Sequence, residues 1–270
     1  MRPLTFSLVR NNRDTRLERR TLPWGEWVDV LSRRDVRPVR GVSAADLVRY
    51  LRGDHEGLDK KVVKRAVDAA KNGPGVVLAD AEAREKDAPV AAVHALALDV
   101  EHRTEEEVLA VLEKLAPFER LVWTTYQHTN ETPRLRVVVP LAEPVAPDDY
   151  PALWERWHAF IGGANDSTTR DLRRLLYLAS CPPETEAEAW CERFEGRWLA
   201  AADLAAPSAP AVRRPDVARA PADEAMISMG EDAVRTKLRC VPRDNTLLKG
   251  PALAVLKGAE FAVPGARHAM

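Results

Sequence analysis

The chain has 270 residues, with 40 lysines and arginines against 41 aspartates and glutamates, a formal net charge of −1 and 46% hydrophobic residues. This composition predicts one large domain, with or without a small appendage, and excludes a uniformly basic nucleic-acid-binding protein. No apolar run approaches the ~20 residues that span a bilayer, and the N-terminus is too charged for a signal peptide, so we expect a cytoplasmic protein without a membrane partner. Three cysteines without paired spacing argue against a disulfide framework and a cysteine-rich zinc site.

The order of apolar and polar residues predicts helices early in the chain and most strands later. A helix is expected to begin after Thr21, and further helices are predicted at 44–52, 60–71, 105–115 and 148–161. Strands are predicted at 3–9, 76–79, 94–100, 121–126, 134–139, 173–178 and 188–194. Because strands and helices do not alternate regularly, we expect an α+β fold with a mainly antiparallel sheet flanked by helices.

The composition changes near residue 205. Residues 206–223 are rich in proline and alanine and predict an extended linker between a domain over 1–205 and a helical segment over 224–270. The last residues read as the start of another helix, so we expect a fragment of a longer protein or a natural truncation.

Asp99 and Glu101 follow an apolar strand and project to the same face, because side chains at i and i+2 of a strand share a face. Two like charges this close repel each other unless a cation bridges them, which favours a Mg²⁺ or Mn²⁺ site. The alternative is a strand end that enters solvent.

A predicted hairpin brings a second polar cluster together. Its first strand delivers Tyr126 and His128 to one face if the extended conformation continues that far, and its second strand carries Arg134 and Arg136 on one face. Arginine and histidine suit the phosphate oxygens of a triphosphate. A hairpin with a solvent-facing polar side remains the alternative.

A third cluster runs from Asp166 to Tyr177 and includes Asp171 and Arg174. Asp166 follows the Gly162-Gly163 break, so it lies on a loop, where it completes a carboxylate trio with Asp99 and Glu101 or forms an Asx-turn.

Taken in order, these clusters resemble the motifs of the archaeo-eukaryotic primase superfamily, especially the primase-polymerase domains of plasmid and phage replication proteins. That superfamily has an acidic D-x-[DE] strand, an s-x-H motif and a third acid. The corresponding runs here are LALDVE, TYQHT followed by PRLRVVVPLAEPV, and the segment 166–177, within a resemblance that covers 20–205. Tyr126, or Thr125 after a shift of one residue, replaces the serine of s-x-H, and the third acid is either Asp166 or Asp171.

The resemblance implies a primase-polymerase-like fold and template-directed nucleotidyl transfer on single-stranded DNA, as in a DNA primase or DNA polymerase. It implies that Asp99, Glu101 and Asp166 are catalytic and hold Mg²⁺ or Mn²⁺. It also implies that NTP or dNTP is bound by a set of basic residues: His128, Arg134, Arg136 and Arg174. The Arg-rich N-terminal arm would follow the template backbone.

The segment 224–270 resembles the helical connector that precedes a helicase module in such proteins. No G-x-x-x-x-G-K-[ST] motif occurs in the chain, so a helicase would lie beyond it or on another chain. Two other functions remain open: a metal-dependent nuclease built on the same acids, and a non-catalytic DNA-binding replication initiator.

Overall fold

The computed structural model describes residues 2–85, 87–101 and 103–204; the predicted linker and the predicted helical segment 224–270 lie outside these residues. The helices in the described part are α1 (Trp24–Leu31), α2 (Ala44–Leu51), α3 (Lys60–Lys71), α4 (Glu105–Lys114) and α5 (Tyr150–Phe160). The strands are β1 (Leu4–Val9), β2 (Glu18–Leu22), β3 (Asp35–Val36), β4 (Gly75–Val77), β5 (Ala79–Ala81), β6 (Val90–Val100), β7 (Arg120–Thr124), β8 (Leu135–Val145), β9 (Leu176–Tyr177), β10 (Ser180–Cys181) and β11 (Cys191–Phe194). No described helix has the length and apolar character needed to cross a membrane.

The central sheet has the strand order β11-β7-β8-β6-β5, and every neighbouring pair in it is antiparallel. Its middle is the β6–β8 ladder, in which Asp99 stands opposite Arg136 and Val100 opposite Leu135. The predicted α+β class with a mainly antiparallel sheet is confirmed, and so is the hairpin formed by β7 and β8.

A second antiparallel sheet, with the order β2-β1-β4-β9, differs from the sequence prediction in two places. The chain remains a strand through Leu22, and α1 begins only after Pro23. The predicted strand 173–178 is reduced to Leu176–Tyr177, because only these two residues pair with β4. The segment before β9 is therefore a loop, and its side chains are available to line a cleft.

Alternation along β6 gives the central sheet two apolar faces. Leu96, Leu98 and Val100 enter a core with α4 and α5, which includes Trp154 and Trp157. The opposite face packs against the second sheet and α1, through a core that contains Trp24, Trp27 and Trp123. Asp99 alternates with Leu98 and Val100, so its side chain belongs to this second face.

A smaller core joins α2 and α3 to the rest of the molecule. It contains Leu47, Leu51, Val63 and Val67, and the ring of Tyr126. Ser43 is the N-cap of α2, and its side chain accepts a hydrogen bond from the Asp46 backbone. This α2–α3 unit forms one wall of the clefts described below.

Candidate active site

A cleft of about 490 Å³, which we call the acidic cleft, opens where β6 ends. Asp99, Glu101 and Asp166, the predicted metal-binding residues, all line it. Arg136 and Arg174 of the predicted nucleotide-binding set line it as well. The fold therefore brings together five of the seven residues that the sequence predicts for the site.

Asp99 and Arg136 form a buried ion pair across the β6–β8 ladder. Nη2 of Arg136 donates to Oδ2 of Asp99 at 2.6 Å, and the two side chains are 9% and 6% exposed. Nη1 of Arg136 donates to the Tyr177 carbonyl at 2.9 Å, which ties β8 to β9. Oδ1 of Asp99 is buried and has no hydrogen-bond partner among the described residues.

Glu101 continues the same pattern one step beyond the end of β6. Nη1 of Arg134 donates to Glu101 Oε2 at 3.1 Å and to Gln127 Oε1 at 2.9 Å. The Glu101 side chain is 40% exposed, in contrast to the buried Asp99. Asp99 thus pairs with an arginine of β8, and Glu101 pairs with the arginine just before β8. Both pairs offset the repulsion between the two carboxylates.

Asp166 caps the short 3₁₀ helix Ser167–Arg170. Its carboxylate accepts hydrogen bonds from the backbone N–H of Thr168 at 2.9 Å and from the Thr168 hydroxyl at 2.7 Å. Partial burial opposes ionisation, but these bonds and the nearby Arg174 outweigh it and hold the pKa of Asp166 below its usual value. Asp166 therefore forms an Asx-turn and also lines the acidic cleft. Asp171 lines the cleft too, so the choice of the third acid stays open.

Asn165 is a positioning residue that the sequence analysis missed. Its Oδ1 accepts a hydrogen bond from the Asp99 backbone N–H at 3.1 Å, and its Nδ2 donates to the Ala97 carbonyl at 3.0 Å. Arg103 also holds this loop, through a bond to the Gly163 carbonyl. The amide thus joins the strand that carries Asp99 to the loop that carries Asp166.

His128 lies below the surface of the hairpin turn. Its Nδ1 accepts a hydrogen bond from the Arg134 backbone N–H at 3.1 Å, and the residue is 2% exposed. Burial lowers the pKa of His128 to about 4, an effect that an interaction with the Glu188 backbone partly opposes. His128 does not line the acidic cleft, so its direct contact with a nucleotide stays a prediction.

The expected common face of Tyr126 and His128 is wrong, because the strand ends at Thr124. The chain turns there, with the His128 backbone N–H bonded to the Thr125 carbonyl. Tyr126 enters the small core instead, where its hydroxyl donates to the Arg37 carbonyl and burial raises its pKa.

The arginine-rich N-terminus is part of the folded domain rather than an extended arm. It forms β1, β2 and α1, and several of its arginines are committed to ion pairs, such as Arg19 with Asp80 and Arg20 with Glu18. Its contact with a template stays a prediction. The acidic cleft has other basic residues that the sequence analysis did not single out: Lys71, Arg84 and Arg173.

The family model for the VapE N-terminal domain matches residues 54–207, which is more than half of the chain and includes all three motif clusters. The chain belongs to this family. The match confirms the resemblance found in the sequence, which is to the primase-polymerase domains of phage and plasmid replication proteins. It begins after α2, so β1, β2 and α1 precede the matched region.

Among solved structures, this VapE N-terminal domain is similar to the AEP domain of the primase-polymerase (PrimPol) of cyanophage S-2L. The TM-score is 0.38 and the sequence identity 16%, over 74% of this chain and 85% of that chain. No curated protein sequence matches the chain.

The acids of this VapE N-terminal domain have the ligand chemistry that a divalent ion requires. Carboxylate oxygens are the hard ligands that Mg²⁺ and Mn²⁺ prefer, and the unpartnered Oδ1 of Asp99 is a buried acceptor at the cleft. Within 2–85, 87–101 and 103–204, no three His, Cys, Asp or Glu side chains stand close enough to hold a metal ion. Binding of an ion by the three acids would therefore require them to come closer together, and the metal site stays a prediction.

Proposed function

We propose that this domain catalyses template-directed nucleotidyl transfer on single-stranded DNA, as a DNA primase and polymerase in the replication of a phage or other mobile element. The observation that carries the proposal is the shared cleft, which three carboxylates line together with Arg136 and Arg174. Membership of a family of replication-type primase-polymerase domains supports a nucleotidyltransferase-like role.

The carboxylates of Asp99, Glu101 and Asp166 would hold Mg²⁺ or Mn²⁺. When bound, such ions activate the attacking 3′-hydroxyl and stabilise charge on the leaving pyrophosphate. Arg136 and Arg174 would bind the triphosphate of the incoming nucleotide, which would take the place of the acids as their anionic partner. Catalysis would then depend mainly on positioning and charge stabilisation.

Arg134 and His128 would act at the margin of this site. Arg134 holds Glu101, and the His128 ring fixes the Arg134 backbone, so the ring would position the arginine without touching the nucleotide. Direct binding of the triphosphate by the buried His128 ring would require the hairpin turn to open.

One observation favours a second candidate, the non-catalytic DNA-binding initiator. Each predicted catalytic acid has an arginine within ion-pair distance: Asp99 with Arg136, Glu101 with Arg134, and Asp166 with Arg174 at 3.8 Å. The acids are therefore compatible with a purely structural role.

A primer-synthesis and extension assay separates these functions. The full chain is incubated with single-stranded DNA, Mn²⁺ or Mg²⁺, and labelled NTPs or dNTPs, beside Glu101→Gln and Asp166→Asn. The matched control is Glu106→Gln, an exposed residue of α4 outside the cleft. We expect extended products that both site variants lose and the control keeps. Cut products would instead indicate a nuclease, and DNA binding without either product would indicate the initiator.

A further inference from the structure

A second cleft, of about 590 Å³, adjoins the acidic cleft. It lies between the α2–α3 unit and the turn that leads into β8, and Tyr50, Lys64 and Arg134 are among its lining residues. The two clefts share Lys71, Glu101 and Gln127, so they meet at these residues. We call this second part the helical cleft.

The helical cleft combines aromatic rings with four cationic side chains against three acidic ones. The rings of Tyr50 and His55 lie 5.2 Å apart, tilted by 49°, and Nδ1 of His55 has no hydrogen-bond partner in the described part of the chain. Lys64 and Lys71 share a single carboxylate, that of Asp68, at 2.5 and 2.7 Å. One acid therefore faces two ammonium groups.

This combination matches the chemistry of a nucleotide unit. Every base has a π-face that stacks on an aromatic ring regardless of sequence, and cationic side chains bind the phosphate that follows the base. A closed apolar pocket would suit a small hydrophobic ligand, whereas the helical cleft is lined by charged and amphipathic side chains and opens into a groove.

We propose that the helical cleft binds nucleotide units of single-stranded nucleic acid, with bases against Tyr50 and His55 and phosphates near Lys64 and Arg134. The inference deepens the proposed function, because it places the end of the strand at Glu101, where the helical cleft meets the acidic cleft. The same chemistry would accept a free initiating nucleotide, so the test must separate the two sources.

The test measures the fluorescence anisotropy of a labelled single-stranded oligodeoxynucleotide with the full chain, in EDTA and without free nucleotide. We expect Tyr50→Leu, which keeps an apolar side chain, to weaken binding by about five-fold or more. The logarithm of the binding constant falls as the logarithm of the salt concentration rises. We expect Lys64→Gln to make this slope less steep by about 0.7, the value for one phosphate contact on a single strand. The matched control is Lys61→Gln, an exposed lysine of the same helix outside the cleft, and it should keep both values.

Thermal melting of each variant shows whether it folds. If folded Tyr50→Leu and Lys64→Gln bind the oligonucleotide as tightly as Lys61→Gln, the inference is wrong. Competition by a free NTP that depends on Tyr50 would assign the site to an initiating nucleotide, and absence of competition would assign it to the strand. Because binding is measured without metal or nucleotide transfer, a failure of catalysis would leave this result intact.

Discussion

Asn165 completes the open edge of β6 by bonding to the backbone of Asp99. The two residues are 66 positions apart, yet the Asn165 side chain accepts the Asp99 N–H as a neighbouring strand would. The residue after Asn165 is Asp166. The uncharged side-chain amide of Asn165 therefore fixes the distance between Asp99 and Asp166, two of the predicted catalytic acids. The hydrogen bond between these residues is therefore expected to matter for both stability and ion binding.

Asn165→Ala should destabilise the fold by about 1–3 kcal/mol, because it leaves the buried Asp99 N–H without an acceptor. The Ala97 carbonyl would keep the bond from Trp157 Nε1 at 3.1 Å. Urea unfolding measures the stability, and electron paramagnetic resonance of free Mn²⁺ measures the expected loss of ion affinity. Asn72→Ala removes an exposed side-chain bond to the Asn12 backbone and should change stability less and Mn²⁺ affinity not at all. Equal effects of both variants would contradict the role of Asn165.

Asp99 and Glu101 should differ sharply in their contribution to stability. Asp99→Ala leaves the Arg136 charge buried and unpaired, at a cost of about 3–5 kcal/mol. Glu101→Ala removes a more exposed carboxylate and should cost less than about 1 kcal/mol. Chemical denaturation of the two variants checks this difference. Similar losses would mean that the ion pair of Asp99 and Arg136 does not persist in solution. Activity tests should therefore rely on Glu101 rather than on Asp99.

His128 should make stability depend on pH. Burial lowers its pKa to about 4, from 6.5 for an unperturbed imidazole, so between these values the unfolded chain binds a proton that the folded chain does not. The free energy of unfolding should therefore fall as pH falls through this range, by up to about 1.4 kcal/mol per pH unit from this residue, and His128 should contribute no slope above it.

The check is a comparison of urea unfolding of the wild type and His128→Gln at pH values from 4 to 8. Other groups titrate in both proteins, so the difference between the two slopes isolates His128. Parallel curves would show that the imidazole is protonated equally in the folded and unfolded chains.

Gly75 should be intolerant of a side chain. A Cβ at this position would lie 2.4 Å from Leu175 Cδ1 and 2.7 Å from the Leu176 carbonyl oxygen, so Gly75→Ala must push β9 away from β4. Since the Tyr177 carbonyl holds Arg136, we expect a loss of about 1–3 kcal/mol and a disturbed acidic cleft. Gly25→Ala is the control, because nothing lies within 4 Å of its Cβ and a helix favours alanine. Calorimetric melting should show a lower Tm for the first variant only.

Local patterns were sufficient to predict most of the residues that line the acidic cleft among the proposed site residues. The i, i+2 spacing of Asp99 and Glu101, like that of Arg134 and Arg136, can be read from the sequence with strand geometry alone. The pairing of Asp99 with Arg136 across β6 and β8 is visible only in the structure. Asp166 could be proposed as the third acid because it follows the Gly162-Gly163 break in the sequence, and it does line the acidic cleft, as Asp171 does.

Features that depend on tertiary context escaped prediction. β2 consists of exposed, mostly polar residues, so it carries no alternating apolar signal and exists through backbone pairing with β1. Asn165 acquires its role only because β6 has an edge without a strand beside it at Ala97 and Asp99. The length of β9 is likewise set by its pairing with β4, which involves only two residues, and not by the run of apolar residues around it.

The open edge of β6 has a consequence for solubility. β5 pairs with β6 only as far as Val93, so the N–H and C=O groups beyond it would offer another chain a place to add a strand. Asn165 and Trp157 occupy two of these groups, the Asp99 N–H and the Ala97 carbonyl, with side-chain hydrogen bonds that cannot propagate into a larger sheet. We therefore expect the loop that brings Asp166 to the cleft to oppose edge-to-edge aggregation as well, and conditions that detach the loop should favour self-association.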